Sequence, residues 1–312
     1  MRRILALSIM LGLALSLAAA SAARERQTAG PLSAVSIAGT EIGYSDRYTS
    51  GCHEVRLWDV ATRADRRLAT HCFGSTSTGS GVGSVIATGG RALWVTYTGG
   101  NFREWSLWTK GGTTPVKRIA FLPADVDGPA PVLLGRVWED SLPYATGRTI
   151  IVLAPNGSRR FSLTAADRVV ALSAHSRGYA AVLANGTVVS ISPAGKPIRE
   201  RSFPPGTVEE AVLAAAGLVV KTTAGLEIHR DGPARTIPLP RGSRFLGLSE
   251  GTVAYGIGPQ LRLLRLLGGR DTLFHTLGLR FHAQLGRRGL AYASGRTLGY
   301  DAWVAVAAAG SR

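Results

Sequence analysis

The residues able to support chemistry are few and scattered. Six histidines stand at positions 53, 71, 175, 229, 275 and 282, and none falls into an HExxH or another ligand spacing. No GxSxG, P-loop or GxGxxG lies after a strand and before a helix, so neither a nucleophile elbow nor a phosphate cradle is expected. DVDG at 125 to 128 supplies Asp125 and Asp127 as half of a calcium loop but lacks the third oxygen ligand and the distal Glu, which makes it a turn. Asn156-Gly-Ser and Asn185-Gly-Thr are glycosylation sequons whose composition equally suits tight turns. No catalytic residue, metal or cofactor is therefore expected.

Cys52 and Cys72 are the only cysteines. Their midpoint falls in the turn ATRA at 61 to 64, so an antiparallel hairpin about that turn sets them opposite one another at its open end, where a disulfide fits. In an exported chain such a bridge contributes about 3 kcal/mol by the chain-entropy argument. A pair of free thiols is the alternative. His53 and His71 flank the two cysteines and would meet by the same folding, or else stand solvated.

The elements that position these residues follow an export signal. Arg2 and Arg3, an apolar run from Ile4 to Ala20 and the triplet Ala20-Ser21-Ala22 read as a secretory signal over residues 1 to 22, with retention as an anchor the other reading. Residues 23 to 312 then form the mature domain, with no later apolar run long enough to span a bilayer. Lys and Arg total 36 against 20 acids, a net charge of +16, and only four of the 36 are Lys. The excess favours anionic partners. It is dispersed in pairs such as Arg66-Arg67 and Arg287-Arg288, with no basic block, which argues against specific nucleic-acid binding.

Two markers recur in phase along this domain. One is a short strand, mostly with a central aromatic: IGYS (42 to 45), LWVTY (93 to 97), LPYAT (142 to 146), GYAAV (178 to 182), LVVKT (218 to 222, without the aromatic), VAYGI (253 to 257) and LAYAS (290 to 294). The other is a glycine turn at KGGT, PNGS, PAGK, RDGP and LGGR, with ATRA taking its place in the first unit. Seven units of four strands predict an all-β fold, a β-propeller of seven blades of mostly four antiparallel strands. A β-sandwich or two small barrels is the competing arrangement.

EVRLWD at 54 to 59 resembles the third strand of a WD-repeat, and the period and strand count resemble WD40-like and secreted bacterial propellers. The resemblance at residue level covers one unit. No Gly-His dipeptide occurs, and the Trp-Asp position elsewhere holds pairs such as Leu153-Ala154, so the His-Ser-Trp hydrogen-bond network of that family is not carried over.

Long connections are concentrated in the first units: DRYTSG (46 to 51), CFGSTSTGSGVG (72 to 83), TGGNFRE (98 to 104) and LPADVDGPAP (122 to 131). In a propeller these emerge on one face, presenting Arg47, Tyr48, Phe73, Asn101, Phe102, Arg103, Asp125 and Asp127 for recognition. Trp105 and Trp108, three apart on one strand, are expected on opposite faces, one in the core and one exposed.

The function expected is that of an exported, monomeric binding scaffold for a protein, a glycan or another anionic component outside the cytoplasm. The alternative is a propeller enzyme of the lactonase, lyase or quinoprotein kind with an axial metal or cofactor. Its innermost strands are mostly apolar and offer chiefly Glu209, Glu210 and His282. Ring closure carries a further expectation: residues 24 to 30 pair beside the strand around Tyr300, or remain a disordered tail beside a three-stranded last blade.

Overall fold

The computed structural model describes residues 24–49, 51–74, 79–99, 102–125, 128–230, 232–303 and 306–308. The expected signal, 1 to 22, lies outside them.

The first strand, β1 (Arg24–Gln27), precedes the first blade. Blade 1 is β2 (Leu32–Ala38), β3 (Glu41–Thr49), β4 (Cys52–Asp59) and β5 (Ala64–Cys72); blade 2 is β6 (Gly81–Thr88), β7 (Arg91–Thr98), β8 (Phe102–Gly111) and β9 (Lys117–Asp125). Blade 3 is β10 (Val132–Leu134), β11 (Leu142–Thr146), β12 (Thr149–Leu153) and β13 (Arg159–Thr164). Blade 4 is β14 (Val169–His175), β15 (Gly178–Leu183), β16 (Thr187–Ile191) and β17 (Pro197–Ser202). Blade 5 is β18 (Val208–Ala214), β19 (Gly217–Thr222), β20 (Gly225–His229) and β21 (Arg235–Pro238). Blade 6 is β22 (Arg244–Ser249), β23 (Thr252–Ile257), β24 (Gln260–Arg265) and β25 (Asp271–Thr276). Blade 7 is β26 (Phe281–Leu285), β27 (Gly289–Ser294) and β28 (Thr297–Ala302), completed by β1.

Every recurring strand read from the sequence is the second of its blade, and every recurring turn joins the third strand to the fourth. The fold is thus the seven-bladed propeller of four-stranded antiparallel sheets that the period predicts. The turns are held by their own side chains: Asn156 Oδ1 accepts the Ser158 N–H at 2.9 Å and Asn185 Oδ1 accepts the Thr187 N–H at 3.0 Å. In the WD-like unit, Asp59 Oδ1 accepts the Ala61 N–H at 2.9 Å and so shapes its own turn.

The core is divided into seven clusters, one at each junction between neighbouring blades. Each inner sheet is covered on both faces, so β15 is buried throughout its length, while the outermost β13 is mostly exposed. Burial on both faces is why alternation is weak in the inner strands. The two tryptophans lie on opposite faces as expected, Trp108 at the junction of blades 1 and 2 and Trp105 at that of blades 2 and 3, but both are partly buried and neither is exposed.

Closure occurs as the first expectation had it. Arg24 pairs with Tyr300 and Gln27 with Thr297, making β1 the outer strand of blade 7. Arg26 Nη1 then reaches Asp65 of blade 1 at 2.9 Å, and Arg24 donates to the Val60 carbonyl. These contacts lock the two ends of the ring across the junction of blades 7 and 1.

The long connections are shorter than expected, because strands extend into them. β3 runs to Thr49, β8 begins at Phe102 and β9 continues to Asp125, giving blades 1 and 2 strands of up to 10 residues where the third strands of blades 3 to 5 have 5. The residues expected on loops therefore lie largely at the overhanging ends of hairpins.

Candidate functional site

The overhanging end of blade 1 is fixed by its cysteines. Cys52 faces Cys72 across β4 and β5, and their Sγ atoms are 2.05 Å apart, a disulfide. One position inward, His53 faces His71 on one side and Arg47 of β3 on the other. Phe73 follows the hairpin, its N–H donated to the Gly51 carbonyl at 2.7 Å. Its ring meets His53 edge-on at 5.8 Å and lies nearly parallel to His71 at 6.5 Å. Trp94 of blade 2 donates its indole N–H to His71 Nε2 at 2.8 Å, which puts the proton of neutral His71 on Nδ1.

Blade 2 supplies the other half. Tyr97 and Trp105 are cross-strand partners with rings 5.3 Å apart, and the Arg103 guanidinium stands 5.2 Å from the Tyr97 ring centre. The halves meet at Gly81. A Cβ there would lie 3.3 Å from the Tyr97 hydroxyl and 3.7 Å from His53 Cε1, so the glycine lets these two side chains approach one another.

Three buried polar atoms at this end of blades 1 and 2, His53 Nδ1 on blade 1 and Arg103 Nε and Trp105 Nε1 on blade 2, the tryptophan on the face turned to blade 3, have no hydrogen-bond partner among the described residues. Such atoms cost free energy unless something else satisfies them. Burial, then the Arg47 charge, lowers the His53 pKa, and burial followed by His53 lowers that of His71. Two neutral imidazoles, two guanidinium groups and four aromatic rings equip the corner for stacking and hydrogen-bonded recognition.

Of the residues expected to carry recognition, the structure brings Arg47 and Phe73 together around His53, and sets Arg103 on Tyr97 across the junction. Phe102 and Asp125 are cross-strand partners at the end of blade 2, and Tyr48 lies in β3; these three are placed by backbone alone. Asn101 and Asp127 lie outside the described residues. Sequence reading missed His53, Tyr97 and Trp105 as members of one site. The available signal was the run of glycines 79, 81 and 83, where side chains from two blades crowd the backbone.

The axis is occupied differently from the enzymatic alternative. A cavity of about 290 Å³ is lined by innermost strands, among them Ser36, Val85, Leu172 and Gln284. Arg136 crosses it. Its Nε and Nη2 donate to Glu210 Oε1 and Oε2 at 2.6 and 2.9 Å, and its Nη1 donates to the Leu246 carbonyl of blade 6 at 2.9 Å. Ser173 adds a hydrogen bond to Glu210 at 3.0 Å. Arg136 reaches the axis because blade 3 leaves its own sheet at Gly135, where a Cβ would lie 2.8 Å from the Leu172 carbonyl, and bridges to Ser173 in parallel.

Glu209 instead turns to Lys221 at 3.2 Å, and His282 is exposed. Among the described residues no three His, Cys, Asp or Glu side chains are grouped to hold a metal ion. No described helix is long and apolar enough to cross a membrane.

No family model and no curated protein matches this sequence. Solved structures do match in fold. A chain of the Mitotic Checkpoint Complex superimposes with a TM-score of 0.58 at 13% identity, covering 89% of this chain and 94% of that one. Sqt1 of Saccharomyces cerevisiae gives 0.50 at 11% identity over 90% and 98%. Raptor of Chaetomium thermophilum gives 0.54 at 13% identity over 89% of this chain, which spans only 28% of the Raptor chain. At these identities the likeness is one of fold.

Proposed function

We propose that this protein is an exported propeller that acts as a binding scaffold, holding a protein, glycan or other anionic envelope component at the corner of blades 1 and 2. The observation that carries this reading is three buried polar atoms without a hydrogen-bond partner among the described residues, His53 Nδ1 on the disulfide-closed hairpin of blade 1 and Arg103 Nε and Trp105 Nε1 on β8 of blade 2. Aromatic and Arg side chains on a rigid support are the residues that most often dominate binding energy. The net charge of +16 favours an anionic partner and speeds its approach.

The disulfide supports an oxidising compartment, and residues 1 to 22 supply the route to it. The protein works as a monomer whose fold is suited to protein interaction, like other propellers.

The test compares recovery of envelope components by the intact protein with recovery by Phe73→Ala and Arg103→Gln variants of unchanged melting temperature. Loss of the same component from both variants is expected, whereas equal recovery removes the corner from the function. Export is tested separately, by cell fractionation and N-terminal sequencing of the recovered chain.

A further inference from the structure

The two Asn-Gly pairs of this chain occupy turns of the same build in different surroundings. Asn156-Gly157 joins β12 to β13, and Asn185-Gly186 joins β15 to β16. In each turn the glycine N–H is donated to the carbonyl three residues earlier, that of Ala154 at 2.8 Å or of Leu183 at 3.0 Å. Both glycines take the left-handed conformation, with φ of +88° and +87°. An asparagine before glycine is open to attack on its own side chain, since no Cβ on the next residue hinders the approach of that residue's nitrogen. Which of the two pairs reacts is then decided by its neighbours.

At Asn156 both reacting groups are polarised. Ser158 donates to Asn156 Oδ1 twice, from its N–H at 2.9 Å and its hydroxyl at 2.8 Å, which draws electron density from the side-chain carbonyl carbon. Arg91 of blade 2 crosses to the same turn, where Nη2 donates to the Asn156 main-chain carbonyl at 3.1 Å and Nε to that of Pro155 at 2.6 Å, while Nη1 is held by Thr109 at 3.2 Å. Removing the Gly157 amide proton places negative charge on the Asn156 carbonyl oxygen, and the guanidinium stands there to receive it. The backbone is also free to turn, because a Cβ on Gly157 would meet the Arg91 side chain and no main chain.

Asn185 has the sequence without the setting. Its Oδ1 accepts the Thr187 N–H at 3.0 Å. Gly186 is buried and its carbonyl accepts the Phe203 N–H at 3.1 Å. A Cβ on Gly186 would lie 2.2 Å from the Phe203 carbonyl, so this peptide is pinned by main chain that cannot swing aside.

We propose that Asn156 is a site of spontaneous deamidation in the folded protein and that Asn185 is protected. Water takes the Gly157 amide proton, the nitrogen bonds to Asn156 Cγ, and the Cγ–Nδ2 bond breaks to release ammonia with a proton from solvent, leaving a succinimide. A second water opens the ring to aspartate or isoaspartate. The new carboxylate can still accept from Ser158 and gains Arg91 as a counter-charge, so the product keeps the fold.

The experiment is incubation of the folded protein at mildly alkaline pH, with peptide mass mapping of aspartate and isoaspartate at both positions over time. Asn156 should react at least about tenfold faster than Asn185, having more donors on its reacting groups. In the urea-unfolded chain the two should react at similar rates. Arg91→Gln and Ser158→Ala should each slow Asn156 about fivefold, the worth of one net hydrogen bond, and leave Asn185 unchanged. Ser158 lies on an exposed turn, so its variant keeps the fold even if the loss of Arg91 does not. Equal rates in the folded protein, a faster Asn185, or the same preference in the unfolded chain overturns the proposal, as does an unchanged Asn156 rate in both variants.

Discussion

The Tyr292 hydroxyl donates a 2.9 Å hydrogen bond to Glu25, a residue 267 positions earlier in the chain. The same relationship recurs in two other blades: Tyr44 donates to Asp65 at 3.1 Å in blade 1, and Tyr255 to Asp271 at 2.6 Å in blade 6. Each tyrosine lies on the second strand and each carboxylate on the fourth. In blades 1 and 6 an arginine of the third strand, Arg56 or Arg262, binds the same carboxylate. Blade 7 has Gly299 at that place, and a Cβ there would lie 2.2 Å from the Tyr292 ring. Glu25 thus completes in blade 7, from the opposite end of the chain, a brace that the other two blades build internally. Burial, chiefly, raises the pKa of all three tyrosines, that of Tyr255 to about 12, so they remain donors.

Removing residues 23 to 30 should therefore lower the melting temperature by several degrees, because it deletes β1 together with the Glu25 and Arg26 contacts. Tyr292→Phe, which loses the hydroxyl alone, should cost about 1 kcal/mol. Thermal unfolding of both variants checks this, and an unchanged melting temperature in the shortened protein would show that closure contributes nothing.

Cys52→Ser paired with Cys72→Ser opens the hairpin end that carries His53, His71 and Phe73. A loss of about 3 kcal/mol is expected from a loop of this length, measured by denaturant unfolding. The same variant should bind the corner's partner more weakly.

His175 donates from Nε2 to the Leu248 carbonyl at 2.9 Å and stacks 3.8 Å from Trp138. Burial, first, and the Arg136 charge lower its pKa to about 4, against the Leu248 hydrogen bond. The unfolded chain therefore binds the proton more readily than the folded one. This stability is present above pH 6.5 and is lost as the pH falls towards 4, about 2 kcal/mol in all once partial exposure is allowed for. His175→Gln should flatten the pH dependence of the unfolding free energy over that window.

At the axis, Glu210→Gln leaves the Arg136 guanidinium without its counter-charge and should destabilise by about 3 kcal/mol. Arg136→Met combined with Glu210→Leu should cost less than the sum of the single changes. A double-mutant cycle in denaturant measures the coupling, and additive losses would mean that the pair does not brace the ring.

The sequence by itself determined the blade. Strand and turn preferences act over a few residues, so the second-strand aromatics, the Asn-Gly and Gly-Gly turns, the Cys52 and Cys72 hairpin and the repeat count were all legible from local spacing. Counting strands left the last blade one short, which made the pairing of β1 with β28 one of two readings, the other being a disordered tail, and the structure chose the pairing. The tertiary structure alone decided what lies between blades. Arg136 meets Glu210 and Leu246 from 74 and 110 positions away, and Arg201 approaches His229 only because neighbouring sheets pack face to face. Both faces of each inner sheet are buried, so the alternation that separates core from surface in a single sheet is lost, and the side chains that meet are chosen by the curvature of the ring.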